Sequence, residues 1–316
     1  MLVGLPGSGK STYARDLAQR VGDRLVIISS DDIRQELWGD ANDQHDPQVI
    51  FQTMFDRSVE ALKNGYDVVY DATNLVAKTR KATVAAIKAK VDCKTSCLFV
   101  ACSLSECKRR QGDRDRKVPD AVIDRMVRQF EAPWYNEGWD FIGCVHGGKR
   151  QNIDKEHWRM LGEAHDNPHH SASLGMHCVN CETNMREYVN SEEWRDVFTD
   201  DTKKMLIEAA YQHDLGKHKT KAFVDSKGNP SEVAHYYSHN NVGAYLWLSG
   251  DWGHKWTSDE FFFIALLIQW HMQPFFMRDD NGEWHINFQK WCDKRGFGQL
   301  FYDAVCLLHK ADLAAH

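Results

Sequence analysis

No stretch of this 316-residue sequence is a run of about 18 apolar residues, which a membrane-spanning helix would need. The N-terminal segment lacks the apolar core of a signal peptide, because glycines and Lys10 stand where that core would be. The nine cysteines show no paired spacing, so reduced thiols are expected rather than a disulfide framework. Internal repeats and low-complexity segments are also lacking. We therefore expect a cytoplasmic globular protein that does not contact the membrane, with two domains on grounds of length.

Histidine is scarce in the first half of the chain, where His45 and His146 are the only two of the 16 before residue 151. Charge is divided unevenly as well. The first 150 residues hold 23 basic and 21 acidic side chains, whereas the remainder holds 16 basic and 24 acidic. An acidic, histidine-rich second half favours metal chemistry if the histidines follow a pattern, and surface histidines if they do not.

A phosphate-binding loop stands almost at the start of the chain, with the spacing G-x-x-x-x-G-K-S over residues 4–11. Its glycines let successive backbone N–H groups turn toward anionic oxygens, and a helix N-terminus follows. Lys10 can then reach the terminal phosphates, and the Ser11 hydroxyl can bind Mg²⁺. We predict a site for ATP or another NTP, formed by Gly7, Ser8, Gly9, Lys10, Ser11 and Thr12. The preceding apolar run, Met1–Val3, is short for a strand, which leaves open that the native chain starts before Met1.

The first half alternates short apolar runs with longer helical patterns, which is typical of a parallel sheet covered by helices. We predict strands at 1–3, 25–28, 67–70, 96–102 and 141–145, and helices at 10–20, 48–63, 78–90 and 119–130. Polar, glycine-bearing sequence at 147–152 marks a boundary, so the predicted domains are 1–150 and 151–316. Beyond the boundary the β-branched runs disappear, and the second domain is predicted to be all-α.

The predicted second strand ends in a polar group that contains Asp31 and Arg34. A carboxylate at a strand end can take a proton from an attacking hydroxyl, and an arginine one helical turn later can hold an acceptor phosphate. The alternative is that Ser30 and Asp31 simply cap the next helix.

The third strand ends in Asp71, Thr73 and Asn74, at the same predicted edge of the sheet. A basic segment at 108–117 follows later and contains Arg110 and Arg114. Arginines that close over ATP stabilise the negative charge of a moving phosphoryl group. A solvated run of charges, balanced by nearby aspartates, is the alternative.

Together these motifs resemble the 5′-polynucleotide kinase family, the kinase half of phage polynucleotide kinase–phosphatases. The match consists of G-x-P-G-S-G-K-S-T, D-D-x-R, D-x-T-N and R-x-x-x-R, and it covers about residues 1–145. The resemblance implies that Asp31 is the general base, that Arg34 holds the acceptor phosphate and that Arg110 and Arg114 are lid arginines. Asp71, Thr73 and Asn74 would support the acceptor side.

In the second half, the dipeptide His213-Asp214 is followed by Leu-Gly-Lys. Four more candidate ligands lie in or beside helical patterns, and packed helices can bring distant ligands to one point. Histidine nitrogens with carboxylate oxygens suit Mn²⁺, Fe, Ni²⁺, Co²⁺ or Zn²⁺. The four are His177, His239, His271 and Asp312.

These residues are similar to the HD phosphohydrolase superfamily, over about residues 165–316. The similarity rests on N-P-H-H-x-x-x-L-G-x-H, H-D-L-G-K, Y-Y-S-H-N-N-V-G-A, I-Q-W-H and K-A-D-L. It implies two metal ions bridged by Asp214, with His177, His213 and Asp312 on one and His239 and His271 on the other. Lys217 would contact the leaving phosphate. The sequence leaves open that His235 is the ligand in place of His239, and Cys178 and Cys181 are expected in a helix interior.

We interpret the chain as a bifunctional enzyme that heals nucleic-acid ends. The first domain would phosphorylate a 5′-hydroxyl with NTP and Mg²⁺, and the second would hydrolyse a 3′-phosphate or a 2′,3′-cyclic phosphate. The implied substrates are RNA or DNA ends, and the implied partner is a separate ligase. Host cytoplasm is the expected location if a phage encodes the protein.

Three alternatives remain open from the sequence. One is a small-metabolite or nucleoside kinase fused to an HD nucleotidase, which the nearly neutral first half favours. Another is an HD fold that serves as a regulatory ligand-binding module. The third is a toxin-like kinase that acts on a sugar nucleotide.

Overall fold

The structure is a computed structural model that describes residues 1–113, 117–167, 172–251 and 255–315. The chain divides into two compact units. The first unit consists of Met1–Gln129 and Pro133–Gln151, and the second consists of Phe130–Ala132 and Asn152–His316. No helix among the described residues is long and apolar enough to span a bilayer.

The first unit is built on a five-stranded sheet in the order β2-β3-β1-β4-β5. Every pair of neighbouring strands is parallel, and β2 pairs with β3 over its whole length, from Leu25 against Asp67 to Ser29 against Asp71. The carboxyl ends of the strands therefore meet at one edge, where the loops that follow them come together. The strands are β1 (Leu2–Val3), β2 (Leu25–Ser29), β3 (Asp67–Asp71), β4 (Ser96–Ala101) and β5 (Phe141–His146).

Apolar side chains of these strands pack against the helices of the same unit. One buried cluster joins Ile28 and Tyr70 of the sheet to Ile50 and Met54, and another joins Leu2 and Val100 to Ala14. The helices are α1 (Lys10–Val21), α2 (Ser30–Trp38), α3 (Pro47–Lys63), α4 (Ala77–Lys88), α5 (Leu104–Gly112) and α6 (Asp120–Arg128), with a 3-10 turn at Tyr135–Glu137. The prediction of an α/β N-terminal half with a parallel sheet is confirmed.

The second unit is mostly helical, with α8 packed on α9 and α11 packed on α12. Its centre is the helix α12, where every residue from Phe261 to Gln269 is buried. The helices are α7 (Ile153–Leu161), α8 (Leu174–Tyr188), α9 (Asp200–Gln212), α10 (Lys217–Thr220), α11 (His239–Leu248), α12 (Ser258–Trp270), α13 (Gln273–Phe276), α14 (His285–Arg295) and α15 (Gln299–Leu313).

The prediction that the second half is all-α is wrong at one place. A two-stranded antiparallel sheet is formed by β6 (Ala222–Val224) and β7 (Pro230–His235). The turn between them contains Gly228 at φ 85, and the Asp225 carboxylate accepts hydrogen bonds from the backbone of Lys227 and Asn229. This hairpin is short and half-exposed, so the sequence does not show the alternation of apolar and polar residues by which a strand is recognised.

Candidate active site and candidate metal centre

The loop between β1 and α1 has the conformation that its glycines permit. Gly7 and Gly9 have φ of 84 and 101, in the left-handed region that L side chains rarely adopt. A Cβ atom at Gly7 would lie 2.6 Å from the Cys107 carbonyl oxygen, and one at Gly9 would lie 2.6 Å from that of Gly147. The loop ends at Gly9, the N-cap of α1, so its backbone faces the positive end of a 12-residue helix.

Lys10 and Ser11 lie at the start of α1, beside the end of β3. The Lys10 ammonium donates to the carbonyl oxygens of Gly4 and Leu5 at 3.0 and 2.9 Å. Ser11 Oγ donates to Asp71 Oδ2 at 2.7 Å. Burial raises the pKa of Asp71, although Lys10 and the Ser11 hydrogen bond oppose the shift. A hydroxyl and a carboxylate at this distance are the pair that commonly holds Mg²⁺ in phosphate-loop enzymes.

A cavity of about 630 Å³ opens at this edge of the sheet. Asp31 and Arg34 lie in the same cavity as the loop, so the structure brings the predicted base and the predicted phosphate-binding arginine together. Arg34 is buried, whereas the Asp31 side chain is 41% exposed, and Arg34 Nη1 lies 3.3 Å from Asp31 Oδ1. Among the lining residues are Gly7, Gly9, Lys10, Ser11, Thr12, Gln44, Phe51, Asp71, Thr73 and Arg110.

The alternative role of Ser30 and Asp31 as a helix cap is not what the structure shows. The N-cap of α2 is Ser29, whose Oγ accepts a hydrogen bond from the backbone N–H of Asp32 at 3.3 Å. Asp31 is in the first turn of α2 and forms an ion pair with Arg34.

Arg110 contacts the phosphate-binding loop itself. Its Nη1 donates to the carbonyl oxygens of Gly7 and Gly147 at 3.0 and 2.8 Å, and its Nε donates to Glu106 Oε1 at 2.9 Å. One of the two predicted lid arginines therefore lies beside the phosphate-binding loop. The other, Arg114, lies outside the described residues.

Three further residues predicted to bind the nucleotide or the acceptor, Ser8, Thr73 and Asn74, have different environments in the structure. Thr73 lines the cavity, and its carbonyl oxygen accepts from the Gly4 N–H at 3.1 Å. The Asn74 amide instead donates to the carbonyl oxygens of Leu2 and Ala72, at 2.7 and 3.2 Å, which holds the end of β3 against β1. Ser8 is fully buried behind the loop, so it can serve a nucleotide through its backbone and not through its hydroxyl.

In the second unit, the four predicted histidine ligands converge from four helical segments. His177 Nε2 lies 3.2 Å from His213 Nε2, and His239 Nε2 lies 3.2 Å from His271 Nε2. All four side chains are at least nine-tenths buried. His213 directly follows the last residue of α9, and His271 directly follows the last residue of α12.

The hydrogen bonds of these imidazoles determine which nitrogen carries the hydrogen. Nδ1 of His213, His239 and His271 faces a backbone carbonyl oxygen at 2.8, 2.8 and 2.7 Å, and that of His177 faces one at 3.4 Å. A carbonyl oxygen only accepts, so Nδ1 is the donor, and in the neutral ring Nε2 then carries a lone pair. Four such lone pairs facing one another in pairs at 3.2 Å require a cation or a proton between them.

Two carboxylates complete the cluster. Asp214 Oδ2 lies 3.5 Å from His177 Nε2 and 3.3 Å from His213 Nε2, whereas Oδ1 lies 3.4 and 3.8 Å from those of His239 and His271. Asp312 Oδ1 lies 2.9 and 3.4 Å from His177 and His213. Two donor groups can hold a metal ion: His177, His213 and Asp312, and His213, Asp214 and His271.

The electrostatics of this cluster suit a cation. Burial lowers the pKa of His239 to about 4 and that of His271 to about 3, so both are neutral ligands near pH 7. Burial also lowers the pKa of His213, but the carboxylates of Asp214 and Asp312 outweigh it and hold that pKa well above its usual value. A positive charge at this point is therefore favoured, either as a proton or as a metal ion.

Sequence analysis identified Lys217 and its neighbour Asp214, but it missed two other neighbours of the lysine, His165 and Tyr236. The Lys217 ammonium lies 2.6 Å from Asp214 Oδ2, 3.4 Å from His165 Nε2 and 5.4 Å from the ring centroid of Tyr236. His165 stands shortly before the His169-His170 pair in the sequence. No spacing pattern distinguishes it as a functional residue. His169 and His170 lie outside the described residues.

The open choice between His235 and His239 has a geometric answer. His235 is the last residue of β7, and its Nε2 lies 3.2 Å from Ser231 Oγ. His239 is the first residue of α11 and faces His271. Cys178 and Cys181 are buried inside α8, as expected, and burial raises both thiol pKa values.

Comparison with known proteins gives matches to part of the chain. Residues 1–133 match a family described as AAA domain. The chain is 26% identical over 147 residues to the L-seryl-tRNA(Sec) kinase of Methanococcus maripaludis, which covers 44% of this chain and 55% of that kinase. A chain in the solved structure of a Pnkp1/Rnl/Hen1 complex matches at 30% sequence identity and a TM-score of 0.31. The match covers 34% of this chain and 37% of that chain. The chain thus spans about half the length of the curated relative.

The first unit is accordingly a P-loop kinase-like domain, related in sequence to a kinase. The loop, the cavity and the pairing of Ser11 with Asp71 agree with this assignment. A kinase of this type uses an NTP and Mg²⁺.

Proposed function

We propose that the protein heals nucleic-acid ends by two reactions, phosphorylation of a 5′-hydroxyl in the first unit and hydrolysis of a terminal 2′,3′-cyclic phosphate or 3′-phosphate in the second. The observation that carries this proposal is the pair of phosphate sites in one chain. One is the cavity that holds the loop, Asp31 and Arg34. The other is the cluster in which Asp214 faces four imidazoles.

In the kinase reaction, the Asp31 carboxylate takes the proton of the acceptor hydroxyl. The hydroxyl oxygen then bonds to the γ-phosphorus of the NTP, and the bond from that phosphorus to the β,γ-bridging oxygen breaks. Lys10 and Arg110 neutralise the charge of the transferred group, and Ser11 with Asp71 would hold Mg²⁺, which would add positive charge beside the phosphates. We assign Asp71 to the metal rather than to the acceptor, because its carboxylate is 2.7 Å from Ser11 Oγ.

On the acceptor side, the buried Arg34 lies beside Asp31, and its guanidinium matches a phosphate group in shape and charge. An acceptor with a phosphate near its hydroxyl is therefore favoured over a bare nucleoside. An RNA or DNA strand has this arrangement at its 5′ end, where the 5′-terminal nucleotide carries both the 5′-hydroxyl and the phosphate that links its 3′-oxygen to the next nucleotide. Thr73 lines the same cavity and would contact the acceptor; Asn74 would hold the end of β3 in place.

In the second unit, two divalent cations would be held by His177, His213 and Asp312, which form one of the observed donor groups, and by His239 and His271, whose Nε2 atoms face Asp214 Oδ1. Asp214 would lie between the two ions. Such ions, when bound, would polarise a phosphate and lower the pKa of water. Asp214 and the Nδ1 hydrogen bonds hold the imidazoles in orientation. The Lys217 ammonium, next to Asp214, neutralises charge on the phosphate oxygens. We therefore propose an HD-type phosphohydrolase.

A second acceptor deserves a test because of the similarity to L-seryl-tRNA(Sec) kinase. The name of that enzyme describes a seryl hydroxyl on a tRNA as its acceptor. The same Asp31 could deprotonate such a hydroxyl, and Arg34 would then meet a tRNA phosphate. Small metabolites and nucleosides are the remaining alternative.

The test incubates the full chain with labelled NTP, Mg²⁺, Mn²⁺ or Ni²⁺, and oligonucleotides bearing a 5′-hydroxyl and a 3′-phosphate or 2′,3′-cyclic phosphate. We expect gain of a 5′-phosphate and loss of the 3′-terminal phosphate. Lys10→Ala or Asp31→Ala should reduce the first reaction by at least about 100-fold and leave the second unchanged. Asp214→Ala should do the reverse.

RNA, DNA, seryl-tRNA and free nucleosides serve as parallel acceptors. Transfer to seryl-tRNA or nucleosides without transfer to a 5′-hydroxyl end would refute the kinase half of the proposal. A folded Asp214→Ala protein that loses both activities would refute the independence of the two sites.

A further inference from the structure

His165 is a buried imidazole that belongs to neither donor group of the metal cluster. Its two ring nitrogens face other groups: Nε2 lies 3.4 Å from the Lys217 ammonium nitrogen, and Nδ1 lies 2.9 Å from the Ala172 carbonyl oxygen. The edge of the ring packs against the ring of His177, with 5.5 Å between the centroids. Because that oxygen can only accept, Nδ1 carries the hydrogen, and Nε2 presents its lone pair to the lysine. The residue is 2% exposed.

Lys217 needs such a second acceptor. The Lys217 ammonium also lies 2.6 Å from Asp214 Oδ2, and this oxygen faces His177 and His213, which would hold a cation. A lysine is a flexible point charge, so an ammonium bound to that oxygen alone would compete with the cation for it. The His165 lone pair draws part of the ammonium's hydrogen bonding away from the carboxylate.

His165 is itself held in place. Ala164, which directly precedes His165, forms a β-bridge with Ser173. The Tyr236 hydroxyl donates to the His165 carbonyl oxygen, and the Tyr236 carbonyl oxygen accepts from His239 Nδ1 at 2.8 Å. Tyr236 therefore contacts both His165 and a member of the metal cluster, while its ring lies beside the Lys217 ammonium. The position of the lysine is thus tied to that of His239.

We infer that His165 is a positioning residue: it holds the Lys217 ammonium between its own Nε2 and Asp214 Oδ2, so that a third N–H of Lys217 binds an oxygen of the phosphate group. The inference rests on the proposed phosphohydrolase function and adds to it a residue that contacts neither metal nor substrate. The ammonium has three N–H donors, and its contacts with Asp214 and His165 use two of them.

The test measures inorganic phosphate binding by calorimetry and metal content by elemental analysis, on the full chain loaded with Mn²⁺. We expect His165→Ala to weaken phosphate binding by about 10-fold at unchanged metal content. Lys217→Ala should weaken it at least as much. The double variant should be no weaker than Lys217→Ala, since His165 acts through the lysine. His165→Gln, whose amide oxygen can accept from the ammonium, should restore most of the binding.

The control is His157→Ala, which removes another buried histidine of this unit, one that bonds Gln212 instead of Lys217. An equal loss in this control would mean a merely structural effect and would overturn the inference. So would additive losses in the double variant, lower metal content in His165→Ala, or unchanged phosphate binding.

A wild-type protein that hydrolyses phosphoesters while His165→Ala binds phosphate normally would refute only the role of His165. A metal-loaded wild-type protein that neither binds phosphate nor hydrolyses phosphoesters would refute the proposed function as well. The calorimetric unfolding transition of the second unit, measured for each variant, reports whether that unit is folded.

Discussion

Hydrogen-bond direction at a few side chains decides what this protein can bind. The Nδ1 atoms of His213, His239 and His271 donate to the carbonyl oxygens three residues earlier in the chain. Their Nε2 lone pairs are thereby directed into one cluster. The same principle operates at Ser11, whose hydroxyl donates to the buried Asp71 carboxylate. In both units, a neighbouring group fixes the orientation of a side chain that would bind a cation.

Asp71→Asn tests whether this carboxylate serves Mg²⁺ or the acceptor. The amide keeps the shape but loses the charge that a divalent cation needs. We expect the Mg²⁺ concentration for half-maximal kinase activity to rise by about 10-fold or more, with little change in KM for the oligonucleotide. A titration of kinase activity with Mg²⁺ measures this.

The matched control is Asp67→Asn, at the exposed opposite end of the same strand. It should behave as the wild type. A rise in the KM for the oligonucleotide at unchanged Mg²⁺ dependence would instead assign Asp71 to the acceptor, as the sequence alone suggested.

Among the helices, α10 and α11 approach each other unusually closely next to the metal cluster. A Cβ atom at Gly216 would lie 2.0 Å from the His239 carbonyl oxygen and 2.7 Å from the Gly243 nitrogen. Gly216 is in the ordinary right-handed region, with φ −80, so its role is space and not backbone freedom. This absence of a side chain allows the turn before α10, which carries Asp214, to lie close to the first turn of α11, which carries His239.

Gly216→Ala should therefore push the first turn of α11 away from Asp214. Overpacking of this kind costs about 1–3 kcal/mol of unfolding free energy. We expect a lower melting temperature of the second unit and loss of bound metal, measured by calorimetry and elemental analysis.

Gly162→Ala provides the comparison, because a Cβ atom at Gly162 meets nothing within 4 Å. It should leave stability and metal content unchanged. If Gly216→Ala retained the wild-type metal content, the close approach would not be what sets the ligand geometry.

For the whole molecule, the two compact units predict two responses to metal removal. A ligand that binds only the folded state stabilises it by about 2.7 kcal/mol when its concentration is 100 times its Kd. The converging histidines all lie in the second unit. Chelation should therefore lower the unfolding temperature of one calorimetric transition and spare the other, and Mn²⁺ should restore it.

Asp214→Ala is the control for that experiment, since it removes the carboxylate that faces all four histidines. Its transitions should not respond to added Mn²⁺. A shift of both transitions in the wild-type protein, or of neither, would contradict the assignment of the metal centre to the second unit.

The sequence by itself determined the elements whose residues are close along the chain. The glycine spacing of residues 4–11 requires one loop conformation, and alternating apolar runs require the parallel sheet, so both could be predicted. The helical character of the second half followed from its periodicity. The hairpin β6–β7 was missed because it is short and exposed. The domain boundary at residue 150, the site roles and the HD assignment stay predictions.

Only the tertiary structure decided which distant side chains meet. His165 and Lys217 are 52 residues apart, and no local pattern marks their contact. His235 and His239 are equivalent as letters, yet one ends a strand and the other begins a helix. Likewise, only the structure shows that Asp71 accepts a hydrogen bond from Ser11 and that the Asn74 amide donates to a backbone carbonyl oxygen. Periodicity reports which face of an element is buried, whereas a contact between distant side chains depends on how the elements pack.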